Sequence, residues 1–97
     1  MAKMKLFMVV HRAPELKWAE VEQKWMALAN VEEAIWERTW YNKRQGVRYC
    51  LWRSPNRETL EKAFSDLKVT WESMLEVAET VPDVWRMGSD EPFFGPT

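Results

Sequence analysis

Residues Ala34 to Arg53, AIWERTWYNKRQGVRYCLWR, hold two β-rich runs, Ile35 to Tyr41 and Val47 to Arg53, parted by a polar segment that ends in glycine. Aromatic and β-branched residues on both sides of a short polar connection predict a β-hairpin. Upstream, Met4 to His11, MKLFMVVH, is apolar at nearly every position, the pattern of a central strand covered on both faces. Between that strand and the hairpin, Trp18, Val21, Trp25 and Leu28 recur at helical spacing over Glu15 to Ala29, with Glu20, Glu22 and Lys24 elsewhere around the helix. Downstream, Pro55 ends the second hairpin strand, and Asn56 is placed to cap a helix whose first turn carries Glu58, where the helix dipole favours a carboxylate. Leu60, Ala63, Phe64 and Leu67 form the apolar stripe of that helix. Thr70 to Val77, TWESMLEV, alternates Trp71, Ser73, Leu75 and Val77 against Thr70, Glu72, Met74 and Glu76, which predicts a last strand.

The order β-α-β-β-α-β predicts an α+β, ferredoxin-like fold. Right-handed crossovers then give a four-stranded antiparallel sheet in the order 4-1-3-2 with both helices on one face. The other face is left bare. The chain carries seven tryptophans and six methionines in 97 residues, and a bare sheet face bearing indoles is a large apolar patch for a monomer. Pairing two such faces removes it, so a homodimer of the dimeric α+β barrel type is expected. Residues 1–82 form the domain on this reading. Residues 83–97 form an extended arm, in which Trp85, Phe93 and Phe94 are expected to be anchored because aromatic side chains are costly to leave in water.

Composition narrows the function. The 14 basic and 15 acidic residues give a net charge of −1, which is not the electrostatic footprint of a nucleic-acid or anionic-membrane binder. The apolar run Leu6 to Val10 is too short for a signal peptide core or a membrane span, so a cytoplasmic location is expected. A single cysteine makes no intrachain disulfide. There is no CxxC and no Ser/His/Asp set, and three glycines in all exclude a dinucleotide-binding fingerprint.

Strand alternation assigns faces. With Met4, Leu6, Met8 and Val10 turned toward the helices, Phe7, Val9 and His11 face the open side. Likewise Val47, Tyr49 and Leu51 point inward while Arg48, Cys50 and Trp52 point out. Trp71, Ser73, Leu75 and Val77 go inward, and Glu37 is turned toward the helices. The open face then collects Trp36, Arg38 and Trp40 with Glu72, Met74 and Glu76. Trp36, Arg38, Trp40, Arg48, Trp52 and Glu72 are the candidate ligand-binding residues: the rings suit an apolar ligand or the core of a dimer interface. Arg38 and Arg48 suit an anion or carboxylate, or ion pairs with Glu72 and Glu76. The topology brings His11, at the end of the first strand, beside Arg48 and Glu72, with Trp40 at the same end. His11 next to a carboxylate is a candidate catalytic base. His11, Cys50 and Glu72 are a candidate partial metal shell, completed by a partner subunit or water. Cys50, a lone cysteine inside a strand, reads first as a small buried hydrophobe.

Trp36, then Thr39 with an aromatic neighbour, a polar turn, Tyr49-Cys50-Leu51-Trp52, Pro55 and an amphipathic helix together resemble a bacterial ferredoxin-like family catalogued as domain of unknown function 4242. The resemblance runs from Met4 to about Val81. It implies a ferredoxin-like dimer and metal binding, with a divalent transition metal such as nickel as the cofactor, since one member of that family binds nickel. Two functions follow. The first is a non-enzymatic homodimer holding a metal ion or small ligand between its sheets. The alternative, by analogy of fold, is a cofactor-free monooxygenase or isomerase with His11 as base.

Overall fold

The computed structural model describes residues 3–86. The elements follow in the order β1 (Lys5–Arg12), α1 (Trp18–Leu28), β2 (Ile35–Asn42), β3 (Val47–Ser54), α2 (Arg57–Asp66), β4 (Ser73–Glu76) and a short α3 (Pro82–Arg86). Strands pair antiparallel in the order β2-β3-β1-β4, the expected ferredoxin-like topology. The hairpin closes at Gly46, whose φ of +68° suits glycine and whose backbone lies so close to Pro14 that a Cβ would sit 2.4 Å from Pro14 Cα. Gly46 O accepts from Ala13 N–H at 2.9 Å. The β2–β3 turn is thereby tied to the loop between β1 and α1.

Asn56 caps α2 as the sequence predicts: its side chain accepts from Thr59 N–H at 2.8 Å. At the other end Val69 N–H bonds Phe64 O and Lys68 N–H bonds Ser65 O, with Lys68 in the left-handed conformation at φ 57°. This is a Schellman stop with lysine where glycine is usual. The last strand is shorter than Thr70 to Val77. Backbone bonds extend the pairing to Glu72 and Val77, but Thr70 and Trp71 leave the ladder.

The face assignment is overturned. Phe7, Val9, Cys50, Trp52 and Met74 are buried with Leu28 of α1 and with Leu60 and Phe64 of α2 in one core cluster, and His11 and Arg48 are buried on the same side. Leu6, Met8, Val10, Tyr49, Leu51 and Leu75 therefore occupy the face without helices. Leu75 is 65% exposed where an inward position was expected; Trp71 does pack against the core, against Phe64. The physical cause lies in β1, which is apolar on both faces, so its alternation has no sign. Pairing then couples the strands: Val9 lies opposite both Cys50 and Met74, so one inverted strand inverts all. Volume settles the choice, because the space under two helices takes Trp52, Phe7 and Phe64.

In β2 a bulge breaks the alternation. Trp36 pairs with Trp52 and Arg38 with Leu51, leaving Glu37 as the extra residue. Trp36 consequently lies on the helix side, stacked on Trp52 with ring centroids 6.3 Å apart, while Arg38 and Trp40 stay on the open face as expected. Glu37, expected toward the helices, instead accepts a hydrogen bond from Arg53 at the surface. Where an extended arm was expected, Pro82–Arg86 forms the helix α3, and Trp85, expected to be anchored, is 42% exposed, its Nε1 donating to Thr80 Oγ1 at 2.7 Å. Phe93 and Phe94 lie outside the described residues.

Candidate functional site

The two faces of the sheet carry different chemistry. On the helix side His11 is 1% exposed, and its Nδ1 lies 2.7 Å from the carbonyl oxygen of Thr70. A carbonyl only accepts, so Nδ1 carries the proton. Nε2 is then a bare lone pair, buried without a partner among the described residues. Burial lowers the pKa of His11 to about 4; the Thr70 bond opposes the shift and the charge of Arg48 adds to it. The ring is neutral at physiological pH.

Arg48 lies directly across the β1–β3 ladder from His11. It is 3% exposed, and no described residue supplies it with a hydrogen bond or ion pair. Burial pulls its pKa down, against the pull of Cys50, and a guanidinium stays charged through such a shift.

Cys50 is 1% exposed and lies at the end of a relay: Trp36 Nε1 donates to Thr39 Oγ1 at 2.7 Å, and that hydroxyl donates to Cys50 Sγ at 3.1 Å. Burial pushes the thiol pKa up, while the Thr39 bond and Arg48 oppose the shift. A neutral, enclosed thiol is a packing group. Around it Trp18, Trp25, Trp36, Trp52 and Tyr41 form a chain of ring contacts between α1 and the hairpin.

The expected site residues thus divide. His11, Arg48, Trp36, Trp52 and Cys50 come to the helix side, and Arg38 and Trp40 to the open face. Glu72 is exposed and receives Arg12 Nε at 2.6 Å. The expected mouth of His11, Arg48, Glu72 and Trp40 is not assembled, because it joins opposite faces. Nor do His11, Cys50 and Glu72 meet: among the described residues no three His, Cys, Asp or Glu side chains are grouped to hold a metal ion.

On the open face Leu6, Met8, Trp40 and Leu51 floor a trough of about 420 Å³, walled by residues 77–80 after β4. Arg38 lies beside it with its guanidinium 5.8 Å from the Trp40 ring centroid. Sequence reading found Trp40 and Arg38 here and missed Leu6, Met8 and Leu51. The signal for them was Arg53, whose charge marks the solvent side for the alternate positions Tyr49 and Leu51. No described helix is long and apolar enough to cross a membrane.

No curated protein matches the chain. A solved structure, the crystal structure analysis of SCO4226 from Streptomyces coelicolor A3(2), superposes with a TM-score of 0.67 at 24% sequence identity, covering 78% of this chain and 99% of that one. At that identity the likeness establishes the fold. The family described as nickel responsive protein SCO4226-like matches residues 7–77, from within β1 to just past β4, and the chain belongs to that family.

Proposed function

We propose that this chain is a non-enzymatic small binding protein that works as a homodimer, its two open sheet faces closing on a small ligand. The observation that carries the reading is the open face itself. Trp40, Tyr49 and Leu75 are 48%, 40% and 65% exposed on it, beside the trough floored by Leu6, Met8 and Leu51. An apolar sheet face of this kind is stabilised by burial against a second copy, and the trough then becomes an enclosed cavity. Arg38 offers a charge at its edge, which favours a ligand with an apolar body and an anionic end.

The family's name raises nickel as the cargo. The donors of one protomer do not fit it: the imidazole and the thiol, which nickel favours over carboxylate alone, lie on the helix side, buried and apart from Glu72. An organic ligand is the better match to the open face. Native mass spectrometry and elemental analysis of untagged protein test both parts. The expected result is a dimer carrying an organic molecule; a stable monomer overturns the dimer, and stoichiometric nickel with no organic molecule overturns the ligand.

One observation favours an enzyme: His11 is neutral with Nε2 free, as a base requires. A pKa of about 4 makes it a weak base, and it borders none of the open-face trough. Binding remains the reading supported best.

A further inference from the structure

On the helix side a second cleft, of about 310 Å³, opens between the loop before α1, the first turns of α1, the start of β3 and the segment after α2. Arg48 forms part of its wall. As a residue Arg48 is 3% exposed, and its guanidinium, which meets solvent only through the cleft, has no carboxylate within ion-pairing distance among the described residues, a costly setting for a charge. An anion entering the cleft relieves that cost. Lys24 and Lys68 also line the cleft, and Lys24 is held at the wall by donating to Leu67 O at 2.8 Å. Lys68 stands in its left-handed conformation at the same rim, a backbone arrangement that glycine adopts more cheaply and that recurs at binding sites. Leu16 and Val69 supply apolar wall, and Glu15 and Glu20 bring negative charge to the exposed edge.

We propose that this cleft binds a small organic monocarboxylate through Arg48, once in each protomer and on the opposite side of the sheet from the trough. The planar guanidinium pairs with the two oxygens of a carboxylate, and the apolar wall receives a short hydrocarbon or aromatic body. One buried cation matches one negative charge. Lys24 and Lys68 offset Glu15 and Glu20 in the lining, so Arg48 is the one charge left to balance, and a phosphate finds no use for Leu16 and Val69. The site is complete in one chain, so it stands whether or not the sheets pair.

The test uses the full chain with sodium benzoate, with inorganic phosphate and neutral benzamide in parallel, at constant ionic strength and pH. The ring of His11, the one histidine of the chain, lies opposite Arg48 and reports locally by NMR. Benzoate is expected to move the His11 ring signals saturably and to raise the melting temperature, with benzamide doing neither. Arg48→Met, which keeps the volume and removes the charge, is expected to fold and to weaken benzoate at least about tenfold. Should that variant not fold, Arg48→Lys keeps the charge without the bidentate fork and is expected to bind more weakly than the native chain. Arg38→Met, on the other face, separates the two sites. The proposal is overturned by the absence of a saturable benzoate effect, by phosphate binding as tightly as benzoate, or by loss of benzoate in Arg38→Met in place of the Arg48 variants.

Discussion

The Nδ1 of His11 lies 2.7 Å from the carbonyl oxygen of Thr70, tying the end of β1 to the segment that leads into β4. The bond fixes the tautomer, while burial among apolar neighbours, with Phe64 edge-on at 5.5 Å, keeps the ring neutral. Protonation must place a charge in that setting, next to Arg48. The folded-state pKa, about 4, is below the ordinary value of 6.5, so the stability tied to the neutral ring is full above pH 6.5 and is lost as pH falls toward 4. At 1.36 kcal/mol per unit the loss reaches about 3 kcal/mol. Urea unfolding at steps from pH 7 to 4 should show this decline in the native chain and a flatter one in His11→Leu. Equal slopes, or an NMR pKa near 6.5 for the ring, would exclude it.

Cys50 answers to the same burial. With a raised pKa and its sulfur accepting from Thr39, the thiol should react slowly with iodoacetamide in the native protein and fast in denaturant. A native rate matching the denatured one would mean that the thiol is open to solvent.

Gly46 and Lys68 share a left-handed backbone and should respond in opposite directions. Gly46→Ala adds a Cβ to a site where Pro14 Cα stands 2.4 Å away, so the backbone penalty of about 1–2 kcal/mol is a lower limit for its cost. Lys68→Gly removes that penalty at the end of α2 and should gain up to about 1 kcal/mol after glycine's larger unfolded-state entropy is counted. Shifts of the urea midpoint measure both. A destabilised Lys68→Gly would show that the lysine side chain contributes more than its backbone costs.

Leu75→Glu places a charge on the open face, on the edge strand β4, without touching the buried cluster. Sedimentation should show the variant as a monomer with unchanged circular dichroism, against a dimer for the native chain. A variant that remains dimeric with native affinity would assign the pairing to another surface.

Hydrophobic period, turn residues and the Asn56 cap determined the order of elements, the hairpin, both main helices and the strand order, because these depend on local preference and on the handedness of crossovers. The face each strand turns to the helices was decided only in the tertiary structure. Phe7 and Val9 compete there with Leu6, Met8 and Val10 on near-equal terms, and the contest is settled by how the volumes of Trp52 and Phe64 fill the space under α1 and α2. The bulge at Glu37 is likewise a product of pairing: it lets Trp36 stack inward on Trp52 while Arg38 and Trp40 keep the open face. Because the site residues were assigned by face, the same inversion moved His11, Arg48 and Cys50 into the interior, while Glu72, just before β4, stays exposed and paired with Arg12. Period 2 tells which residues share a side of a strand; which side is buried is a property of what packs against it.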